Sequence, residues 1–155
     1  MARVLVQDGA FDLAAEFAAL TAGRCDIGGV GAFVGTVREI SGGRRLTAMT
    51  LEHYPAMTAA ALARIAAEAE RRWDLLGCTL IHRIGRLEPG APIVLVLAAA
   101  AHRDAALAAT AFLIDWLKTR APFWKKECFA EGEAHWVEAR AEDEAAAARW
   151  SGEPG

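Results

Sequence analysis

Residues 93–119 place the tightest constraint on how this chain can fold. An apolar run from Ile93 to Ala101 passes without a linker into a helical stretch from about His102 to Thr119. On that stretch Ala105, Ala109, Phe112, Leu113, Trp116 and Leu117 share one face. Pro122 then stops the helix, because proline lacks the backbone donor and its ring clashes with the preceding turn. The apolar run is far shorter than the roughly 20 residues a bilayer-spanning helix needs, so it reads as a buried strand.

A short strand is predicted at Arg3–Gln7 and a helix over about 11–22. Gly28-Gly29-Val30-Gly31 leads into a strand over Ala32–Arg38, and the extended pattern resumes over Leu46–His53 beyond the turn residues Ser41-Gly42-Gly43. The two extended segments are expected to form an antiparallel hairpin. Pro55 suits the first turn of a helix over about 56–73, which carries Met57, Ala61, Leu62, Ile65 and Ala69 at helical spacing and which Gly77 is expected to end. Thr79–Leu87 and Ile93–Ala99 read as strands around Glu88-Pro89-Gly90, and Phe123–Phe129 and His135–Ala139 as short strands around Glu131-Gly132. A last helix over about 142–150 precedes a frayed tail, 151–155. Strands and helices alternate only loosely, so the class is α+β, with one domain over 1–150. A chain of 155 residues is long enough to bury one core.

The formal net charge of −3 argues against bulk binding to nucleic acid or an anionic membrane, so an anionic ligand would need a local basic patch. Cys25, Cys78 and Cys128 are scattered and odd in number, without the paired spacing of a zinc site or a disulfide framework. The N-terminus turns acidic at Asp8 before a signal-peptide apolar region could form. A soluble cytoplasmic protein is expected.

The densest chemical signal is the group Lys118, Arg120, Lys125 and Lys126, interleaved with Phe123 and Trp124. By spacing alone this is either a solvated face, with lysines complementing a helix C-terminus, or an anion pocket with aromatic walls. A lysine crowded by other cations has a lowered pKa and serves as a base or nucleophile near neutral pH. His102-Arg103 stands where a strand ends and a helix begins, a place that suits either an anion or a plain polar helix start. Arg38, at a strand end, is a third candidate cation. His53 and His82 read as structural, His135 lies in a polar turn with no obvious partner, and no nucleophile elbow, P-loop or dinucleotide fingerprint is present. A continuous helix from His102 to Lys118 would hold the two about 24 Å apart at ~1.5 Å per residue. One small pocket could use both only if it were assembled across a homodimer.

The ordered blocks Gly31-Ala32-Phe33-Val34-Gly35-Thr36-Val37-Arg38, Leu51-Glu52-His53-Tyr54-Pro55-Ala56-Met57, Ile81-His82-Arg83-Ile84-Gly85, Ala101-His102-Arg103 and Leu117 to Glu127 resemble the catalytic (large) subunit family of molybdopterin synthase. Trp136-Val137-Glu138-Ala139-Arg140 fits as well. The resemblance implies an α/β-hammerhead fold with an antiparallel sheet and packed helices. It also implies a homodimer within a heterotetramer, whose other member is a small ubiquitin-like sulfur carrier with a Gly-Gly thiocarboxylate tail. The implied reaction is a sulfurtransferase step on cyclic pyranopterin monophosphate that builds the molybdopterin dithiolene, with no cofactor and no metal in this chain. Matched by position, Lys118 and Lys125 fall on the catalytic lysines. Thr36, Val37, Arg38, His102, Arg103, Lys126 and Glu127 fall on substrate-binding positions beside them. Ala56 and Ala98–Ala101 depart from the family pattern without removing a chemical group. Two other readings stand: a non-catalytic module for a ubiquitin-like partner, and an RNA platform of Phe123, Trp124, Lys125 and Lys126, against which the acidic net charge counts.

Overall fold

The computed structural model describes residues 2–137 and 141–151. A four-stranded sheet holds β1 (Arg3–Gln7), β5 (Gly77–Arg83), β7 (Pro92–Ala100) and β2 (Gly29–Thr36), in that order. Strands β1 and β5 are parallel, and the other pairs are antiparallel. Strand β7 lies inside the sheet with both faces covered, which is why Ile93–Ala100 is a continuous apolar run rather than an alternating one. One face is covered by α2 (Pro55–Trp73) and α3 (Arg103–Thr119), whose Leu62, Ile65, Phe112, Leu113 and Leu117 pack on Leu80, Val94 and Val96. On the other face Phe11 and Leu20 pack with Ile81, Leu95 and Leu97, beside α1 (Leu13–Thr21).

A second, five-stranded sheet is built around β4 (Arg44–His53), which pairs with β3 (Ile40–Ser41), β6 (Gly85–Leu87) and β8 (Phe123–Phe129); β9 (Ala134–Trp136) adds to β8. Helix α4 (Ala141–Ala148) docks on α3, where Arg149 and the Trp150 Nε1–H donate to the Asp115 carboxylate at 2.8 and 2.7 Å. A small cluster of Val37, Leu51 and Leu87, with Met49, Ile93 and Phe123 against it, joins the two sheets.

The α+β class and the helix positions agree with the sequence reading, and three local expectations are corrected. Segments 32–38 and 46–53 do not form a hairpin together: β2 pairs with β7, and the turn at Gly42-Gly43 joins β3 to β4 instead. The predicted strand Thr79–Leu87 breaks at Ile84, and Gly85, with φ +84°, lets the chain pass from one sheet to the other. Asp74, in the left-handed region at φ +48°, caps α2, and Gly77 opens β5 instead of ending the helix. Gly31 lies inside β2 because α3 crosses it closely: a β-carbon there would overlap the Thr110 hydroxyl and come within 2.6 Å of the Ala106 carbonyl oxygen. Glu138 and Ala139 of the last predicted strand, and most of the predicted tail, lie outside the described residues.

Candidate functional site

The C-terminal end of α3, the end of β2, the β3–β4 hairpin and the start of β8 enclose a cavity of about 250 Å³. Strand periodicity decides which side chains of the basic stretch enter it. Successive residues of a strand point to opposite faces, so Phe123, Lys125 and Glu127 line the cavity. Trp124 turns to the other face, where it meets Tyr54 edge-on at 5.0 Å. Lys126 also faces away, with its Nζ 5.8 Å from the centre of the Trp136 ring. Lys118 enters from the last turn of α3, and Thr36 and Arg38 enter from the end of β2. The bland alternative of a solvated face therefore describes Trp124 and Lys126 but not Lys125.

Three further positions of the predicted set stand elsewhere. Val37 is only 2% exposed and belongs to the cluster between the sheets; its N–H donates to the Ala91 carbonyl and its own carbonyl accepts from Gly90. His102 is the N-cap of α3, and Arg103 is its exposed first residue. Because α3 is unbroken, both lie at the far end of the helix from Lys118, as its length requires. The single chain thus brings together Thr36, Arg38, Lys118, Lys125 and Glu127, and it leaves out Val37, Lys126, His102 and Arg103.

The electrostatics of the cavity are asymmetric. Burial pushes the Lys125 ammonium below the usual lysine range and neighbouring Lys118 adds repulsion, while Asp143 and Glu127 oppose the shift. Crowding by cations was the expected cause, but burial is the larger one. The site thus offers an ammonium that gives up its proton more readily than an exposed one, beside a second lysine and a guanidinium.

The family model described as MoaE protein matches residues 6–120. The chain belongs to the MoaE protein family. It is 57% identical over 147 residues to a Pseudomonas aeruginosa protein named molybdopterin synthase catalytic subunit, covering 95% of this chain and 97% of that protein. The MoaE protein of Burkholderia ambifaria superposes with a TM-score of 0.83 at 50% identity, over 99% of this chain and 100% of that one. A molybdopterin synthase structure from Staphylococcus aureus gives 0.78 at 27% identity, over 86% and 95%. No described helix is long and apolar enough to cross a membrane.

Sequence reasoning missed two groups at this MoaE cavity. Asp143, from the first turn of α4, reaches the lining only because α4 folds back on α3, and nothing in the local pattern around it signals that approach. His82, expected to be a plain structural residue, is 5% exposed in β5 and stacks on the cavity wall Phe123 with ring centres 3.8 Å apart. His53 lies 6.0 Å from the same ring, and its Nδ1 is buried with no hydrogen-bond partner among the described residues. His135, expected to have no partner, sits in β9 with its Nε2 3.3 Å from Glu133.

Burial, aided by Lys125, His53 and Lys118, lowers the His82 pKa from 6.5 to about 4, against a hydrogen bond to the Arg83 carbonyl. The unfolded chain takes up this proton below pH 6.5 and the folded chain does not until pH 4. The penalty is thus absent above pH 6.5 and grows as pH falls, reaching about 3 kcal/mol near pH 4 at roughly 1.4 kcal/mol per unit. Urea denaturation of wild type and His82→Phe at pH 7, 5.5 and 4 should show the variant losing less stability on acidification. Parallel losses would refute the assignment.

Proposed function

We propose that this chain is the catalytic subunit of a molybdopterin synthase, acting in the cytoplasm on cyclic pyranopterin monophosphate. The sulfur comes from the Gly-Gly thiocarboxylate tail of a small ubiquitin-like carrier. The observation that carries the proposal is the pairing of Lys118 and Lys125 in one cavity with Arg38, in a chain whose relatives bear that name. The substrate phosphate and the thiocarboxylate are both anions, so a pocket must offset their repulsion before the sulfur can approach carbon, and fixed cations do so without reorganising. Attack by the thiocarboxylate sulfur on a side-chain carbon forms a new C–S bond as a C–O bond at that carbon breaks, the oxygen leaving as water or with the opened phosphate ester, and the carrier is left joined as a thioester. Water then cleaves the acyl–sulfur bond, returning the carrier as a carboxylate and leaving sulfur on the pterin side chain. Two such transfers make the dithiolene.

In this reading Lys118 holds the carrier's terminal carbonyl and transfers protons, and Lys125 faces the pterin and the developing negative charge. Thr36 and Glu127 border the same cavity. Arg38 takes the phosphate together with His102 and Arg103 of a second copy, since those two are beyond the reach of the cavity in their own protomer.

The direct test supplies thiocarboxylated carrier and cyclic pyranopterin monophosphate and measures dithiolene product; none from the wild type would end the proposal. Shared sites have their own test. A His102→Ala chain mixed with a Lys118→Ala chain should regain activity that each inactive homodimer lacks, because one of the two sites in the mixed dimer then carries both residues. Absence of recovery in a demonstrated mixed dimer would overturn the two-copy site.

A further inference from the structure

His82 sits behind the cavity rather than in it, and nothing in the proposed chemistry uses it. Its backbone is held on both sides, by Val6 of β1 and Val94 of β7. Its ring is pinned as well: Nδ1 lies 2.8 Å from the Arg83 carbonyl oxygen, and since a carbonyl only accepts, Nδ1 carries the proton. The Arg83 side chain is itself anchored, donating to the carbonyls of Asp8 and Pro92. The fixed imidazole lies nearly parallel to the Phe123 ring, 15° from coplanar at 3.8 Å. Phe123 begins β8 directly after the turn that follows α3, lines the cavity, and stands two residues before Lys125 on the same strand face.

We propose that His82 is a positioning residue for the sulfur transfer assigned above: its ring, clamped flat on Phe123, fixes the aromatic wall of the cavity and thereby the start of the strand from which Lys125 projects. The inference rests on that functional reading for its kinetic consequence, but not for its geometry. A rigid plate is needed here because Phe123 is an apolar ring with no hydrogen bond of its own to orient it, in a wall that must hold its shape as anions enter. Loss of the plate leaves room for Phe123 to rotate out of the wall, and Lys125 then loses its fixed neighbour. Misplacing a reacting group by 1 Å costs up to about 10²-fold in rate, so a tilted wall is expected to cost on the order of tenfold.

The test compares His82→Ala, His82→Leu and His82→Phe in the complete synthase, with carrier and pterin substrate, alongside 4-fluorophenylalanine placed at position 123. His82→Ala and His82→Leu should lose kcat about tenfold while KM for the pterin moves less than about twofold, since Arg38, the cation assigned to the phosphate, projects from the end of β2 rather than from β8. His82→Phe, which keeps a flat ring, should retain at least about a third of the wild-type kcat. The fluorine resonance should shift in the leucine variant and stay near its wild-type position in the phenylalanine variant. Wild-type kcat in folded His82→Leu, or equal losses in the leucine and phenylalanine variants, would overturn the proposal. So would a fluorine resonance indifferent to the leucine substitution. If His82→Ala fails to fold, the leucine and phenylalanine pair decides. If the wild type makes no dithiolene, the functional reading fails, and the fluorine measurement still decides whether His82 sets Phe123.

Discussion

Lys125→Ala is expected to lower single-turnover sulfur transfer by about 10²–10³-fold, the loss typical when one preorganised group facing developing charge is removed. Lys118→Ala should cost a comparable factor. The two losses should not multiply in the double variant, because groups that act on one reacting centre are not additive. The Lys125→Ala protein should remain at least as stable as wild type, since the burial that pushes its ammonium below the lysine range penalises the charged folded state and alanine carries no such penalty. Lys126→Ala provides the internal comparison. Its side chain faces the Trp136 side of the sheet, and its kinetic loss should be at least about tenfold smaller than that of Lys125→Ala. Equal losses at Lys125 and Lys126 would contradict the strand alternation that defines the site.

Gly31→Ala is expected to be a strongly damaging single-methyl change. The added carbon would overlap the Thr110 hydroxyl and press on the Ala106 carbonyl. Neither can retreat, because the hydroxyl donates to that carbonyl at 2.7 Å and both belong to the buried side of α3. Overpacking of this kind costs about 3 kcal/mol, at the upper end of its usual range. In a chain of this size that corresponds to a fall in Tm of roughly 6–12 °C. Any relief must come from moving α3 away from β2, and α3 carries Lys118 at one end and His102-Arg103 at the other. Activity should therefore fall even at temperatures where the variant is folded. A Tm within about 2 °C of wild type would show that the helix does not rest on this glycine.

How far the sequence disclosed all this differs from one element to the next. Helix α3 was legible because its apolar face, its proline stop and the strand before it are all local. The basic cluster was legible as a cluster, and the period of two along Phe123–Glu127 sorts its members once that segment is taken as a strand. Pairing was not legible. Segments 32–38 and 46–53 are neighbours in sequence joined by turn residues, yet β2 pairs with the distant β7 and a two-residue strand takes its place beside β4. Val37 shares a motif with Thr36 and Arg38, but just past the end of β2 the chain turns it into the core while they face the cavity. Asp143 and His82 reach the site through long-range packing of α4 on α3 and of β5 against β8, and no spacing along the chain encodes either approach.

The doubled lysine of β8 bears on how this strand could tolerate error. Slipping β8 by one residue would exchange the side chains presented to the two faces. Lys126 would then take the inward place, so the cavity would still receive an ammonium, while Phe123 and Glu127 would give way to Trp124 and Cys128. A misregistered protein would thus keep its basic character and could still attract anions. It would lose the aromatic ring that His82 grips and the acid opposite the lysines. Affinity for a phosphate-bearing ligand alone is therefore a poor report of correct folding here, and the ring pair is the part of the pocket that distinguishes the right register from the wrong one.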